Sequence, residues 1–203
     1  VIVVGLTGSI GMGKSNAAQT LRRLGVPVHD ADAAVHRLMA PGGRAVRKVA
    51  ELFPGALSGN RIDRKVLGDL VFGDTPALRR LEGVLHPLVR QSSRAFVAAA
   101  ARRRLPVVVL DIPLLYESRS EKSVDLVIVV SAPRAIQRQR VLARPGMTEE
   151  KFHAILARQV PDGEKRRRAD FVVRTGGHRG ETYRQLRRIV DMLKVRGKSM
   201  QRR

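Results

Sequence analysis

The run Gly8-Ser9-Ile10-Gly11-Met12-Gly13-Lys14-Ser15 carries the clearest chemistry in the chain. It has the pattern G-x-x-x-x-G-K-[ST], with an apolar stretch before it and a helix-forming stretch after it. Glycines let the backbone curl until successive N–H groups point at one anion. A helix that opens directly after the loop adds the positive end of its dipole. Lys14 supplies a point charge for the outer phosphates of a nucleoside triphosphate, and Ser15 a hydroxyl that can ligate Mg²⁺. A tight strand-to-helix turn would need only one or two of these glycines, so the whole set points to phosphate binding.

Acids and bases elsewhere could complete a phosphoryl-transfer site. Asp30 and Asp32 follow a short apolar run; spaced two apart in extended chain, both would point to one side. A carboxylate there could accept a proton from an attacking hydroxyl, or Asp32 could simply cap a helix starting at Ala33. Asp111 follows another apolar run and could help hold a metal or shape a local turn. Arg140 and Arg144 are four apart on one expected helix and so share a face, with Pro145-Gly146 as a hinge beside them. Arginines over the phosphates would stabilise the charge of phosphoryl transfer. His86 sits beside Pro87, without a reason in spacing alone to place it in a cleft. His29, His36, His153 and His178 show no metal-ligand spacing.

The elements that must position these groups read as follows. Residues 1–6, 26–28, 107–110, 124–130 and 171–173 are short apolar runs of the kind found in strands buried on both faces of a parallel sheet. Helical periodicity covers 14–24, a helix starting near Asp30 and continuing through Leu38, then 44–53 and 63–72. Pro76 opens another helix, which Pro87 is expected to interrupt before it resumes towards Arg104. Residues 133–144 are helical, Thr148 can cap the next helix, and 182–195 form an amphipathic helix followed by a polar tail expected to fray after Gly197. Strands alternating with helices argue for an α/β fold: a parallel five-stranded sheet with helices on both faces. Ligands in such sheets bind at the carboxyl ends of the strands. The stretch 33–104 is too helical for one crossover and reads as a helical insertion; residues 1–32 and 105–203 make the core.

Composition bounds the answer. The 203 residues suit one compact domain with a small insertion. Aromatics are 3% and Trp is absent, so the core must be Val, Leu, Ile and Ala. With no cysteine there is no disulfide scaffold, thiolate zinc site or catalytic Cys. No apolar run approaches the roughly 20 residues of a membrane span, and 1–6 reads as a strand and not a signal peptide. A cytoplasmic location and no membrane partner are the expectation. The formal net charge is +21, with 31 arginines, clustered at 102–104, 165–168 and 202–203. Such a field attracts phosphates. Too few aromatics are present for base stacking, so nucleic acid is not the expected partner.

Together these residues resemble the dephospho-coenzyme A kinase family. The resemblance runs in order through 5–15, Asp30-Ala31-Asp32, Pro41-Gly42, Asp63-Arg64 with Phe72, Leu85-His86-Pro87, and Pro113-Leu114-Leu115 with Glu117. It continues through Gln137, Arg140, Arg144, Gln159, Glu164-Lys165 and Ala169-Asp170. It implies a P-loop NTPase/kinase fold with a nucleotide-binding core, a helical substrate-binding insertion, and a lid at about 140–166. It also implies transfer of the ATP γ-phosphate to the ribose 3′-hydroxyl of dephospho-CoA, with Mg²⁺. By position, Asp32 would be the general base, with Lys14 and Arg140 also catalytic. Gly8, Gly11, Met12, Gly13, Lys14, Ser15 and Asn16 would bind the ATP phosphates, with Arg140 and Arg144 on the nucleotide and lid side. Ser15 would be on the metal, and Asp30, Asp32, Arg64 and His86 would lie at the acceptor. The chain departs from the family pattern at Ser9, at Asn16 and near Thr175, where the family often has Gly, Thr and Asn. The first two spare Gly8, Gly13, Lys14 and Ser15. A kinase of another small alcohol is the alternative, and a nucleic-acid-binding P-loop NTPase or switch a more distant one. No Asn-Lys-x-Asp guanine signature is present.

Overall fold

The computed structural model describes residues 1–201, with side chains through residue 199. The basic pair 202–203 lies outside the described residues. The chain divides into two compact units, Val1–His29 with Ala99–Arg203, and Asp30–Ala98.

The first unit is built on a five-stranded sheet. Its strands are β1 (Ile2–Thr7), β2 (Val28–Asp30), β5 (Val107–Asp111), β6 (Leu126–Ser131) and β7 (Phe171–Arg174), in the spatial order β2-β5-β1-β6-β7. β1 pairs in parallel with β5 on one side and β6 on the other, and β6 with β7. All five expected strands are present. The interior strand β5 is buried along its whole length, which explains its unbroken apolar run. On one face, α1 (Lys14–Arg23) and α9 (Arg179–Gln201) bring Ala17, Ala18, Leu21, Leu186, Val190 and Leu193 onto Val4, Leu6, Val109 and Ile128. A second cluster holds Leu115, Tyr116, Val127 and Val129. The core is aliphatic, as the scarcity of aromatics requires. The remaining helices of this unit are α6 (Arg134–Leu142), α7 (Glu149–Ala157) and α8 (Asp162–Arg168). Thr148 caps α7 as its sequence suggests, accepting from the Lys151 N–H.

Two expectations fail here. The tail does not fray after Gly197, because α9 runs on to Gln201. Gly197 is a packing residue: a Cβ there would lie 2.4 Å from the Pro106 carbonyl oxygen. Arg144 does not share a helical face with Arg140. Helix α6 ends at Leu142 with Ala143 as its cap, and Arg144 lies exposed in the following turn. The Pro145-Gly146 break acts two residues earlier than spacing suggested. Asp111, a candidate for a metal or turn role, is buried and paired with Lys14.

The second unit contains α2 (Ala31–Met39), α3 (Val46–Leu52), a hairpin of β3 (Leu57–Ser58) and β4 (Arg61–Ile62), α4 (Arg64–Val71), and most of α5 (Thr75–Arg102). Met39, Val49, Phe53, Ile62, Leu67, Leu81 and Leu85 form its core. The hairpin was not expected in so helical a stretch; Gly59-Asn60 at its tip is a turn dipeptide of the right kind. Pro87 does not interrupt α5. Leu81 and Leu85 before it and Leu88 after it pack into one cluster, and that burial holds the helix through the lost hydrogen bond. Asp30 and Asp32 do not sit side by side in extended chain. Asp30 ends β2 and caps α2, accepting from the Ala33 N–H at 2.9 Å, while Asp32 is already inside the helix. Asp30, and not Asp32, is therefore the cap. Among the described residues no helix is long and apolar enough to cross a membrane.

Tyr116 offers a test of this packing. The residue is 4% exposed, its hydroxyl has no hydrogen-bond partner among the described residues, and the Arg168 guanidinium lies 4.2 Å over its ring. Burial pushes the phenol above its ordinary pKa, and Arg168 opposes that rise. The stability tied to the neutral phenol is thus present below its unfolded pKa and is lost as pH rises through the higher folded one. Tyr116→Phe keeps the ring and its stacking and removes a buried hydroxyl worth about 1–3 kcal/mol of desolvation. Differential scanning fluorimetry should show an unchanged or higher Tm at pH 7, and a smaller fall in Tm above about pH 10.

Candidate active site

The site begins where β1 meets α1. Gly8 has no room for a side chain: a Cβ would lie 2.4 Å from Val130 Cγ2 and 2.8 Å from the Val130 carbonyl oxygen. Gly13 precedes α1 in the left-handed region at φ 84°, where other residues are strained. The loop therefore leaves β1 hard against β6 and turns directly into the helix. The first hydrogen bond of α1 runs from the Ala17 N–H to the Gly13 carbonyl at 3.1 Å. The N–H groups of Lys14, Ser15 and Asn16 precede it and lack intrahelical acceptors by geometry. No acid occupies the first turn of α1. This end of the helix is an anion cradle that is not neutralised by its own sequence.

Two cations stand beside it. Lys14 Nζ lies 2.6 Å from Asp111 Oδ1, at the end of β5, with side chains 17% and 5% exposed. The pair keeps the ammonium at the loop and gives the buried carboxylate a counter-charge. Arg140 reaches in from α6: Nη2 donates to the Thr175 carbonyl at 2.6 Å and Nη1 to Thr175 Oγ1 at 3.4 Å. Thr175 Oγ1 in turn donates to the Met12 carbonyl at 2.7 Å. A Cβ on Gly13 would come within 3.5 Å of Arg140 Nη1. Thr175 thus ties the arginine to the loop. Sequence reasoning marked this position only as a departure from the family pattern and gave it no role. Its place just after β7, at the carboxyl edge of the sheet, was the available signal.

Ser15 is exposed in the first turn of α1. Among the described residues no group of three His, Cys, Asp or Glu could hold a metal. A single hydroxyl beside phosphates suits Mg²⁺, which keeps several waters and takes few protein ligands. Arg144, by contrast, is exposed past the end of α6 and is not brought to the loop.

The remaining expected residues lie in the second unit. Asp32, in the first turn of α2, is exposed and sits one helical turn before His36. Arg64, at the start of α4, meets His36 Nε2 through its guanidinium. So the histidine that contacts Arg64 is His36, which spacing offered no reason to select; His86 is exposed in mid-α5. Asp63 caps α4, accepting from the Lys65 and Val66 N–H groups, and so fixes where Arg64 starts. His36, Arg61, Arg64 and Lys65 line a cavity of about 420 Å³ whose one acid, Asp63, is engaged in capping α4. Its charge suits an anionic ligand.

A parallel sheet, a glycine-rich phosphate loop at its carboxyl edge, and a paired lysine and arginine define a P-loop kinase type of protein. A sequence profile described as "CoaE: Dephospho-CoA kinase" matches residues 2–180. The dephospho-CoA kinase of Paramagnetospirillum magneticum is 60% identical over 164 residues, covering 81% of this chain and 77% of that protein. That of Mesorhizobium japonicum is 52% identical over 194 residues, 96% and 98% of the two chains. A solved structure from Thermus thermophilus superposes with a TM-score of 0.81 at 38% identity, over 94% of this chain and 96% of the other. The chain belongs to the dephospho-CoA kinase family.

The geometry makes Thr175 testable. Thr175→Val preserves volume but removes the hydroxyl that joins the Met12 carbonyl to Arg140. Steady-state kinetics should show KM for the nucleotide raised about 5–20-fold, the cost of about 1–2 kcal/mol in lost hydrogen bonds.

Proposed function

We propose that this chain phosphorylates the ribose 3′-hydroxyl of dephospho-CoA, using ATP as donor and Mg²⁺ as its metal. The observation that carries the reading is the phosphate cradle with Lys14 and Arg140 already placed beside it, in a chain of this family.

The residues divide the work. The N–H groups of Gly11, Gly13, Lys14, Ser15 and Asn16 bind the ATP phosphates, with the Gly8 turn and Met12, whose own N–H donates to the Ser9 carbonyl, shaping the loop, and Ser15 would hold the metal. Bound there, Mg²⁺ would neutralise charge on the phosphate oxygens. Lys14 leaves Asp111 or shares it, and with Arg140 stabilises charge on the transferring group. Arg144 belongs to a lid within 140–166; between the anchored Arg140 and Gln159, the part that carries Arg144 would approach the nucleotide on closure and help exclude water. The insertion around 33–104 carries the acceptor, with Asp30, Arg64 and His86 as its contacts. The basic cavity beside Arg64 supports that assignment, because the acceptor is itself a phosphate ester. Asp32 accepts the proton of the 3′-hydroxyl as its oxygen bonds to the γ-phosphorus and the bond to the β–γ bridging oxygen breaks, giving CoA and ADP. Both substrates are small and water-soluble, in keeping with a cytoplasmic setting.

Mass spectrometry of protein incubated with ATP, Mg²⁺ and dephospho-CoA should give a product heavier by one phosphoryl group, absent without ATP. ADP without that product would mean the acceptor is another alcohol. Asp32→Asn should lower kcat at least 100-fold, the range expected on losing a general base, while calorimetry finds ATP affinity within about threefold of wild type. Normal turnover would remove Asp32 from the role of base. Lys14→Ala should weaken ATP binding and turnover together, since Lys14 contacts phosphate in ground and transition states alike; unchanged kinetics would place it outside the site.

A further inference from the structure

Ile10 is the middle of the phosphate loop and the one residue there gripped on both polar groups by side chains. Its N–H donates to Gln159 Oε1 at 3.0 Å, and its carbonyl accepts from Gln137 Nε2 at 2.8 Å. The two glutamines come from opposite arms of one excursion. Gln137 is on α6, 4% exposed, and Gln159 is in the connection between α7 and α8, so the stretch containing α7 leaves and returns through the same loop residue.

The returning arm is itself anchored. The Val160 N–H donates to Glu117 Oε1 at 2.9 Å, and the fully buried Lys165 places Nζ 2.8 Å from the same oxygen. The Ser131 hydroxyl donates to Asp162 Oδ2 at 2.8 Å. Gln159 is therefore presented by a fixed segment, as Gln137 is by a helix. Between glycines the loop has many backbone conformations open to it. Fixing the peptides on both sides of Ile10 removes most of them before any anion arrives, which is preorganisation of the cradle.

We propose that Gln137 and Gln159 are positioning residues of the phosphate loop, acting through Ile10 and coupling the α6–α8 excursion to ATP binding. The inference rests on the reading of this loop as the ATP site. Polarity is the core of the claim. Gln137 must donate and Gln159 must accept. A glutamate at 159 still accepts the Ile10 N–H; a glutamate at 137 confronts the Ile10 carbonyl with a second acceptor and adds the same charge.

Titration calorimetry with Mg–ATP on Gln159→Met, Gln159→Glu, Gln137→Met and Gln137→Glu tests this, with melting curves and turnover of wild type alongside. Each Met variant should lose about tenfold in ATP affinity, with KM for dephospho-CoA within about twofold. Gln159→Glu should bind ATP better than Gln159→Met, and Gln137→Glu worse than Gln137→Met. Should Gln137→Glu fail to fold, the two substitutions at 159 decide the question. A lower Tm with unchanged ATP affinity in the Met variants would make the glutamines plain structural glue and overturn the proposal. So would Gln159→Glu binding no better than Gln159→Met. If wild type binds ATP but does not phosphorylate dephospho-CoA, the acceptor assignment fails while the ATP-affinity order still reads the glutamines.

Discussion

A phosphate loop has little structure of its own, and that constraint organises the first unit. Anion binding needs N–H groups left unpaired and pointed inward, so the loop cannot satisfy itself through regular hydrogen bonding. Its shape must come from outside. Gly8 is pressed against the Val130 backbone, Thr175 holds the Met12 carbonyl, and two glutamines hold Ile10. Thr7 Oγ1 adds a bond to the Pro113 carbonyl at 3.0 Å. These contacts come from β6, the β7 end, α6, the α7–α8 connection and the segment after β5. The parallel sheet matters because it delivers all of those ends to one edge.

Charge follows the same logic. Lys14 is paired with Asp111 at the end of β5, and Lys165 with Glu117 beyond it. Buried pairs of this kind contribute little net stability, and losing one partner is costly, because the other charge stays behind. Their value lies in fixing positions. The first pair keeps a partly exposed ammonium beside the cradle. The second, with Lys165 at 0% exposure, anchors the arm that carries Gln159.

The sequence exposed what is local. Five short apolar runs became five strands, and the Gly-Lys-Ser motif located the cradle, because a strand, a tight glycine turn and a helix start are all fixed by neighbours in the chain. Long-range selection was invisible. Thr175 meets Met12 across 163 positions, Gln159 meets Ile10 across 149, and Lys14 meets Asp111 across 97. No periodicity encodes such pairs; the family resemblance flagged Gln137 and Gln159 without a reason for them. Where local rules misled, packing or capping had the stronger hold. Leu81, Leu85 and Leu88 carried α5 through Pro87. Asp30 took the cap expected of Asp32, and so turned the second acid onto a helix.

That last displacement changes how the acceptor end must be understood. On extended chain, two neighbouring aspartates would be equivalent candidates for a base. On α2 they are not. Asp30 spends a lone pair on the Ala33 N–H, whereas Asp32 projects from the first turn, exposed, with His36 above it and Arg64 beyond. A base needs a free lone pair and access to the alcohol, and a capping carboxylate has less of both. The helix thereby separates two acids that the sequence presents as a pair: one is tied to the helix cap and the other projects from its first turn. Most of the 31 arginines spread along the chain have no such assignment, and nothing in the structure explains their number.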